Sequence, residues 1–325
     1  MRTALLALVV AISGCQVEKA QDAPVTAEVV AQYASFGEGV VFESDSVGYF
    51  SDVGSGIVHR FSLDGRVTEW ARTAQPNGHR ILADGTHVIA DAEEHAILRF
   101  DPAGRRLSPI TQSSDSALVA PNDIALDDAG GFYFTDPGTG TVHYVDSAGT
   151  ATTAARHVDV ANGIALHPNG RVLFVSQSRL GPRGGGQVSR FAVNYPGQLG
   201  PGEVVATFDE PAPDSTVVTW IDGIAFDREG NLYVTYGGVG HVDVLDAQGA
   251  VTRHLDAGQF SVANLAFGGP GLRALYVVGA RDQYRGPATA PFRTRLEAVG
   301  PGLLTRIRLG TVTGWSDRAG WRAIQ

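Results

Sequence analysis

Along most of the chain, apolar and polar residues alternate in short runs, and no helical heptad or long charge run interrupts them. The runs recur in an order. A short apolar strand such as "NDIAL", "NGIAL" or "DGIAF" leads into a turn such as "DDAGG", "HPNGR" or "DREGN". An alternating strand follows, seen in "HVIAD", "FYFTD", "VLFVS", "LYVTY" and "LYVVG". A third strand ends in another turn ("VHRFSLDG", "ILRFDPAG", "VHYVDSAG", "VDVLDAQG"), and a fourth, such as "VTEWA" or "VTRHL", completes the unit. The turns pair an Asp or Asn side chain, able to bond backbone, with a glycine able to take positive φ.

The restarts fall at Glu38, Asn77, Asn122, Asn162, Asp222 and Asn264, separated by 39, 45, 40, 60 and 42 residues. The one long interval holds a Gly- and Pro-rich insertion around "GPRGGGQ" and "DEPAPDS". Six four-stranded units at this period predict an all-β fold, a six-bladed β-propeller. The segment "AEVVAQYAS" is expected to join the last blade and close the ring. A β-solenoid fits less well, because its repeats are shorter and lack the hairpin grammar. In a propeller the first strand of each blade lies nearest the axis. The six restart residues are therefore expected to form a ring of carboxylates and amides around a central channel.

Oxygen donors of this kind suit calcium, which takes six to eight oxygen ligands. Glu38 and Asp222 offer two negative charges to one divalent cation, and the amides add neutral oxygens. No His/Cys cluster favours zinc or copper. A single Asn-Gly would read as a turn former, but here the acidic or amide residue recurs six times in register.

Composition narrows the rest. The chain has 325 residues, 41 glycines, 18% charged residues and a net charge of −9, with no basic stripe for a nucleic acid. The N-terminal "MRTALLALVVAISGC" has one cation, a short apolar run and small residues ending at Cys15, the only cysteine. Residues 1–14 read as a signal peptide of lipoprotein type, Cys15 as a lipidation site, 15–26 as a tether and 27–325 as the propeller. The protein is then expected to be exported and lipid-anchored, on the periplasmic face of the outer membrane, with no other membrane contact.

At these motifs the chain resembles the senescence marker protein (regucalcin)/gluconolactonase-like family of six-bladed propeller hydrolases. The likeness lies in "EGVVF", "PNDIALDDAGGFYFTDP", "ANGIALHPNGRVLFVS", "DGIAFDREGNLYVT" and "NLAFGGPGLRALYVV". It implies Glu38, Asn162 and Asp222 as ligands of a divalent metal, Ca2+ or another such cation, with Asn122 at the metal or on the substrate. It also implies Asp222 as the acid/base residue. The family's arginine before "PND" is replaced by Ala120, which argues against a hydrophilic aldonolactone, and the proline of its first motif is Val40. The related paraoxonases share the layout and hydrolyse more apolar lactones and esters.

The expected function is metal-dependent hydrolysis of a small-molecule lactone or ester. The metal polarises the carbonyl, and a nearby base deprotonates water. A calcium-bound Asp is a weak base, so His79 is a second catalytic candidate, because strand alternation puts it on the side of Asn77. Asn77 and Asn264 are assigned to substrate. Asp123 and Asp136 are expected to bond backbone, and the remaining histidines show no ligand spacing. Two rivals stand beside this reading. One is a non-catalytic ligand- or protein-binding propeller with a structural calcium, and the other is a different enzyme on the same scaffold, such as a phosphotriesterase or a strictosidine-synthase-like protein.

Overall fold

The computed structural model describes residues 26–181, 184–209, 216–290 and 292–317. The expected signal segment and Cys15 lie outside the described residues.

Six antiparallel sheets stand around a central axis as the blades of a propeller, each running from an inner to an outer strand. Blade 1 spans Gly37–Ser44 to Val67–Arg72, and blade 2 begins with Pro76–Ile81. Blades 3, 4 and 5 begin with Ile124–Leu126, Ala161–Leu166 and Trp220–Phe226. Blade 6 runs Ser261–Gly268, Ala274–Ala280, Gly302–Arg308, and its outermost strand is Ala27–Tyr33 from the start of the chain. That strand pairs antiparallel with Gly302–Arg308, so the ring closes by the N-terminal strand as expected. Closure buries hydrogen-bonding edges that an open sheet would expose.

Blade 2 departs from the repeat. Its fourth position is held by isolated bridges, Phe100 with Arg106 and Ile97 with Ile110, rather than by a regular strand. The long interval becomes the hairpin Gly186–Tyr195 and Gln198–Phe208, which extends the outer half of blade 4. Apolar residues of the alternating strands face neighbouring blades. Tyr49, Tyr133, Tyr233 and Tyr276 are all buried there.

A hydroxyl fastens several blades to the next. Ser51 Oγ donates to the Asn77 carbonyl (2.7 Å), Thr135 Oγ1 to Asn162 (2.7 Å) and Ser176 Oγ to Asp222 (2.6 Å). Thr235 Oγ1 donates to the Ala263 carbonyl (2.7 Å). These are the Ser/Thr positions of "YFSD", "YFTD", "LFVS" and "LYVT". Each is buried and each uses a carbonyl that its own strand leaves free.

The innermost strands carry a β-bulge at the ring residue. The register shifts between Glu38 and Val41, Pro76 and His79, Ala161 and Ile164, and Ile221 and Ile224. The glycine that follows the ring residue is required by close approach, not by a turn. A Cβ on Gly163 would sit 2.4 Å from the Asp222 carbonyl, and one on Gly39 2.1 Å from the Asn77 carbonyl. The "NG" and "DG" pairs thus mark where neighbouring inner strands nearly touch.

Candidate functional site at the propeller axis

One end of the channel opens into a cavity of about 460 Å³. Its floor holds Glu38, Asn77, Asn122, Asn162 and Asp222, brought from blades 1 to 5 by their inner strands. In blades 1, 2, 4 and 5 the bulge turns the side chain out of the sheet and toward the axis, while Asn122 lies just ahead of its strand.

Asn264 does not line the cavity, which corrects the expected sixth ring member. In blade 6 the bulge falls at Ala263, between Val262 and Asn264, and the clasp from Thr235 reaches the Ala263 carbonyl. Ala263 therefore occupies the ring position, and Asn264 takes the next one, which Asp123 occupies in blade 3. The two side chains adopt the same local turn: each accepts the N–H of the following residue at 2.8 Å, Ile124 for Asp123 and Leu265 for Asn264. They meet behind the floor, Asn264 Nδ2 donating to Asp123 Oδ2 at 3.5 Å.

His79 is also displaced from its expected place. The bulge at Asn77 and Gly78 breaks strand alternation, so His79 turns away from the cavity and into the blade. It is fully buried, its Nε2 lies 2.9 Å from His87 Nδ1, and Tyr49 and Trp70 pack on the pair. Asp136 bonds backbone as expected, accepting from the N–H groups of Val119 and Ala120.

The floor brings two carboxyl groups together in a buried surface. Burial, then the charges of Asp222 and Asp123, push the Glu38 carboxyl well above the usual carboxylate range. Burial also pushes Asp222 up, against hydrogen bonds from Trp220 and Asn162, and Asp123 adds to the push. Below them, Arg80 lies 3.8 Å from Asp123 and 3.4 Å from Asp317, balancing charge on the side away from the cavity.

Several oxygens at the floor have no hydrogen-bond partner although buried: Glu38 Oε2, Asn77 Oδ1 and Asn162 Oδ1. The Asn162 amide is held in this pose. Its Nδ2 donates to Ser178 Oγ (2.9 Å), and that hydroxyl donates to the Ile221 carbonyl (2.5 Å). Asp222 is oriented likewise by Trp220 Nε1, which donates to Oδ2 at 3.0 Å. Mutually repelling carboxylates beside unpartnered, hard oxygen donors fit a calcium-like cation. At the rim, Val160 holds φ at +48°, a left-handed conformation rare for a β-branched residue and a mark of local strain.

The upper wall comes from residues that the strand pattern does not reveal. The insertion after Ala280 carries the short helix Phe292–Ala298. Leu296 and Val299 pack with Phe36, Val218, Trp220 and Tyr284 to form an apolar roof. Phe292 and Arg295 of the same helix reach the cavity.

A second cluster lies away from the axis, on blade 5. His241, Asp243 and His254 each offer one ligand atom, all within 4.8 Å of one another. Asp243 Oδ1 is 2.6 Å from His254 Nδ1 and 3.0 Å from His241 Nε2. Asp243 and His254 sit directly opposite in the strand pairing, a relationship that sequence spacing hides.

Comparison with known proteins agrees with this architecture. The chain is 27% identical over 300 residues to the pentonolactonase XacC of Haloferax volcanii, covering 87% of this chain and 98% of that one. It is 24% identical over 242 residues to the gluconolactonase of Zymomonas mobilis, covering 65% and 67%. Among solved structures, a calcium-binding protein, regucalcin, from Agrobacterium tumefaciens superposes with a TM-score of 0.66 at 18% identity, over 90% of this chain and 95% of that one. Residues 36–281 match the model of the SMP-30/Gluconolactonase/LRE-like region, and the chain belongs to that family.

Proposed function

We propose that this protein is a lactone hydrolase whose reaction takes place on the floor of the axial cavity. The observation that carries the reading is the set of buried, unpartnered oxygens on Glu38 and Asn162 beside Asp222, under a largely apolar roof. The relatives named as gluconolactonase and pentonolactonase support the same reaction class.

Glu38, Asn162 and Asp222 would hold a divalent cation, calcium by the chemistry of their donors, with Asn122 beside them. Bound there, calcium supplies a Lewis acid for a carbonyl oxygen. The chain's own groups do the rest. Trp220 fixes Asp222 through Oδ2, which leaves Oδ1 to take a proton from the attacking water. The buried charge of Asp123 behind the floor raises the basicity of Asp222 and offsets the weakening expected of a metal-bound carboxylate. Asn77 and Asn122 present amides that orient the substrate ring. The roof of Leu296, Val299 and Tyr284 keeps bulk water from the reacting carbonyl. The apolar leader and Cys15 support an exported, lipid-anchored setting for this reaction.

A panel of γ- and δ-lactones followed by pH-stat tests the proposal. Turnover of at least one lactone, lost at least a hundredfold in Glu38→Gln with the fold retained by circular dichroism, is the expected result. Absence of turnover across the panel, or undiminished turnover in Glu38→Gln, would sink it.

A further inference from the structure

The cation of the roof has no place in the mechanism above. Arg295 stands on the helix Phe292–Ala298, lines the cavity, and is partly buried. Its Nε is buried with no hydrogen-bond partner, and no carboxylate lies within ion-pair distance of it among the described residues. The Phe292 ring lies 5.4 Å from the guanidinium carbon, and the Tyr284 hydroxyl is near enough to interact with its charge. Elsewhere in the chain, partly buried Arg80 is matched by Asp123 and Asp317, and Arg306 by Glu28.

A guanidinium carries five donors in a planar fork and loses hydration when it is covered. Leaving such donors unpaired costs stability, so an uncompensated one facing a cavity marks a place where an acceptor from outside completes the set. The carboxylates of this cavity are all on the floor, in Glu38 and Asp222, with Asp123 behind them. Between floor and roof the wall is mostly apolar, with Phe36, Leu180, Val218 and Trp220 beside the polar Gln75 and Ser178. Hydroxyls spread around a sugar ring would meet few partners along that wall. A ligand with an apolar body and one acceptor at its far end matches it throughout.

We propose that Arg295 is an anion subsite in the roof and that the preferred substrate is a lactone bearing an apolar substituent that ends in a carboxylate. The lactone carbonyl lies at the floor and the carboxylate pairs with the guanidinium fork, a bidentate arrangement suited to both groups. Binding turns the substrate so that its reactive end meets Asp222. This rests on the hydrolase reading for the floor, but the subsite is a separate structural claim. Arg295 is a specificity residue and takes no part in the chemical step.

The test compares a carboxyalkyl-substituted δ-lactone with its methyl ester, in the wild-type protein, Arg295→Lys and Arg295→Met. The ester keeps size and apolarity and removes the charge. The free acid is expected to be preferred about tenfold or more in kcat/KM, expressed mainly through KM. That ratio should fall to near one in Arg295→Met and stay partial in Arg295→Lys. Equal rates for acid and ester in the wild type, or a ratio unchanged in Arg295→Met, would overturn the proposal. Calorimetric binding of the matching carboxyalkyl lactam separates the two claims. Charge-dependent lactam binding that Arg295→Met abolishes, without lactone turnover, keeps the subsite and rejects the hydrolase. Lactone turnover with lactam binding indifferent to charge keeps the hydrolase and rejects the subsite.

Discussion

Asn264 and Asp123 meet behind the cavity floor from blades 6 and 3, the amide nitrogen 3.5 Å from the carboxylate oxygen. Each side chain also accepts the N–H of the residue after it. Together they form a polar plug that ties opposite blades and sets the charge beneath Glu38 and Asp222.

Removing the carboxylate tests that plug. Asp123→Ala strands the N–H of Ile124 and loosens Arg80, and should cost about 2–3 kcal/mol of stability. Asp123→Asn keeps an acceptor for Ile124 while Asp317 still faces Arg80, so its loss should be less than half as large. Urea midpoints of the two variants make the comparison. Equal losses would show that the acceptor, and hence the plug, matters little.

The inter-blade glycines give a second prediction. A Cβ at Gly163 meets backbone of blade 5, the Asp222 carbonyl at 2.4 Å and the Gly223 Cα at 2.7 Å, and neither can swing aside as a side chain would. Gly163→Ala should destabilise by about 1–3 kcal/mol and disturb Asp222 with it. At Gly149 a Cβ meets nothing within 4 Å, so only its positive φ of 86° opposes Gly149→Ala. Thermal melting of the pair should show the larger loss at Gly163.

Ser178 is expected to matter through Asn162. Without its hydroxyl the Asn162 amide loses the partner that turns Oδ1 toward the floor. Ser178→Ala should weaken calcium binding about tenfold, in keeping with other residues that orient metal ligands. Isothermal titration measures it directly, and an unchanged affinity would remove Ser178 from the account.

Stability should also depend on pH through the buried pair His79 and His87. Burial, then the neighbouring His87 and Arg80 charges, hold the His79 imidazole well below its ordinary pKa of 6.5. The folded state therefore keeps it neutral, and the unfolded chain binds a proton more readily. Its contribution is complete above about pH 6.5 and is lost as pH falls toward the folded value, at about 1.4 kcal/mol per pH unit. His79→Asn should lower stability at pH 8 but flatten that slope, as read from urea melts between pH 8 and 5.

The blades and much of the floor were legible in the sequence for a physical reason. Strand alternation and turn chemistry repeat in every blade, so Glu38, Asn122, Asn162 and Asp222 could be lined up by their surroundings. What failed was local. In "ANLAF" the asparagine matched the eye, but the pattern of "DGIAF" puts Ala263 in the ring and Asn264 one step on. The glycine after Asn77 lets a bulge form, which reverses the facing of His79 that simple alternation predicts. The helix Phe292–Ala298 is short and its apolar residues meet loops and strand ends of several blades rather than a repeating neighbour, so no period announces it. His241, Asp243 and His254 converge only through strand pairing, and register across two strands leaves no trace in spacing.

The central claim is that Glu38, Asn162 and Asp222 form a calcium-dependent hydrolytic centre. The most direct measurement titrates calcium into chelator-treated protein while following hydrolysis of an alkyl-substituted lactone, in the wild type and in Asp222→Asn. The account predicts saturable recovery of turnover by calcium in the wild type and none in the variant. Full turnover in the presence of chelator, or equal recovery in Asp222→Asn, would contradict it.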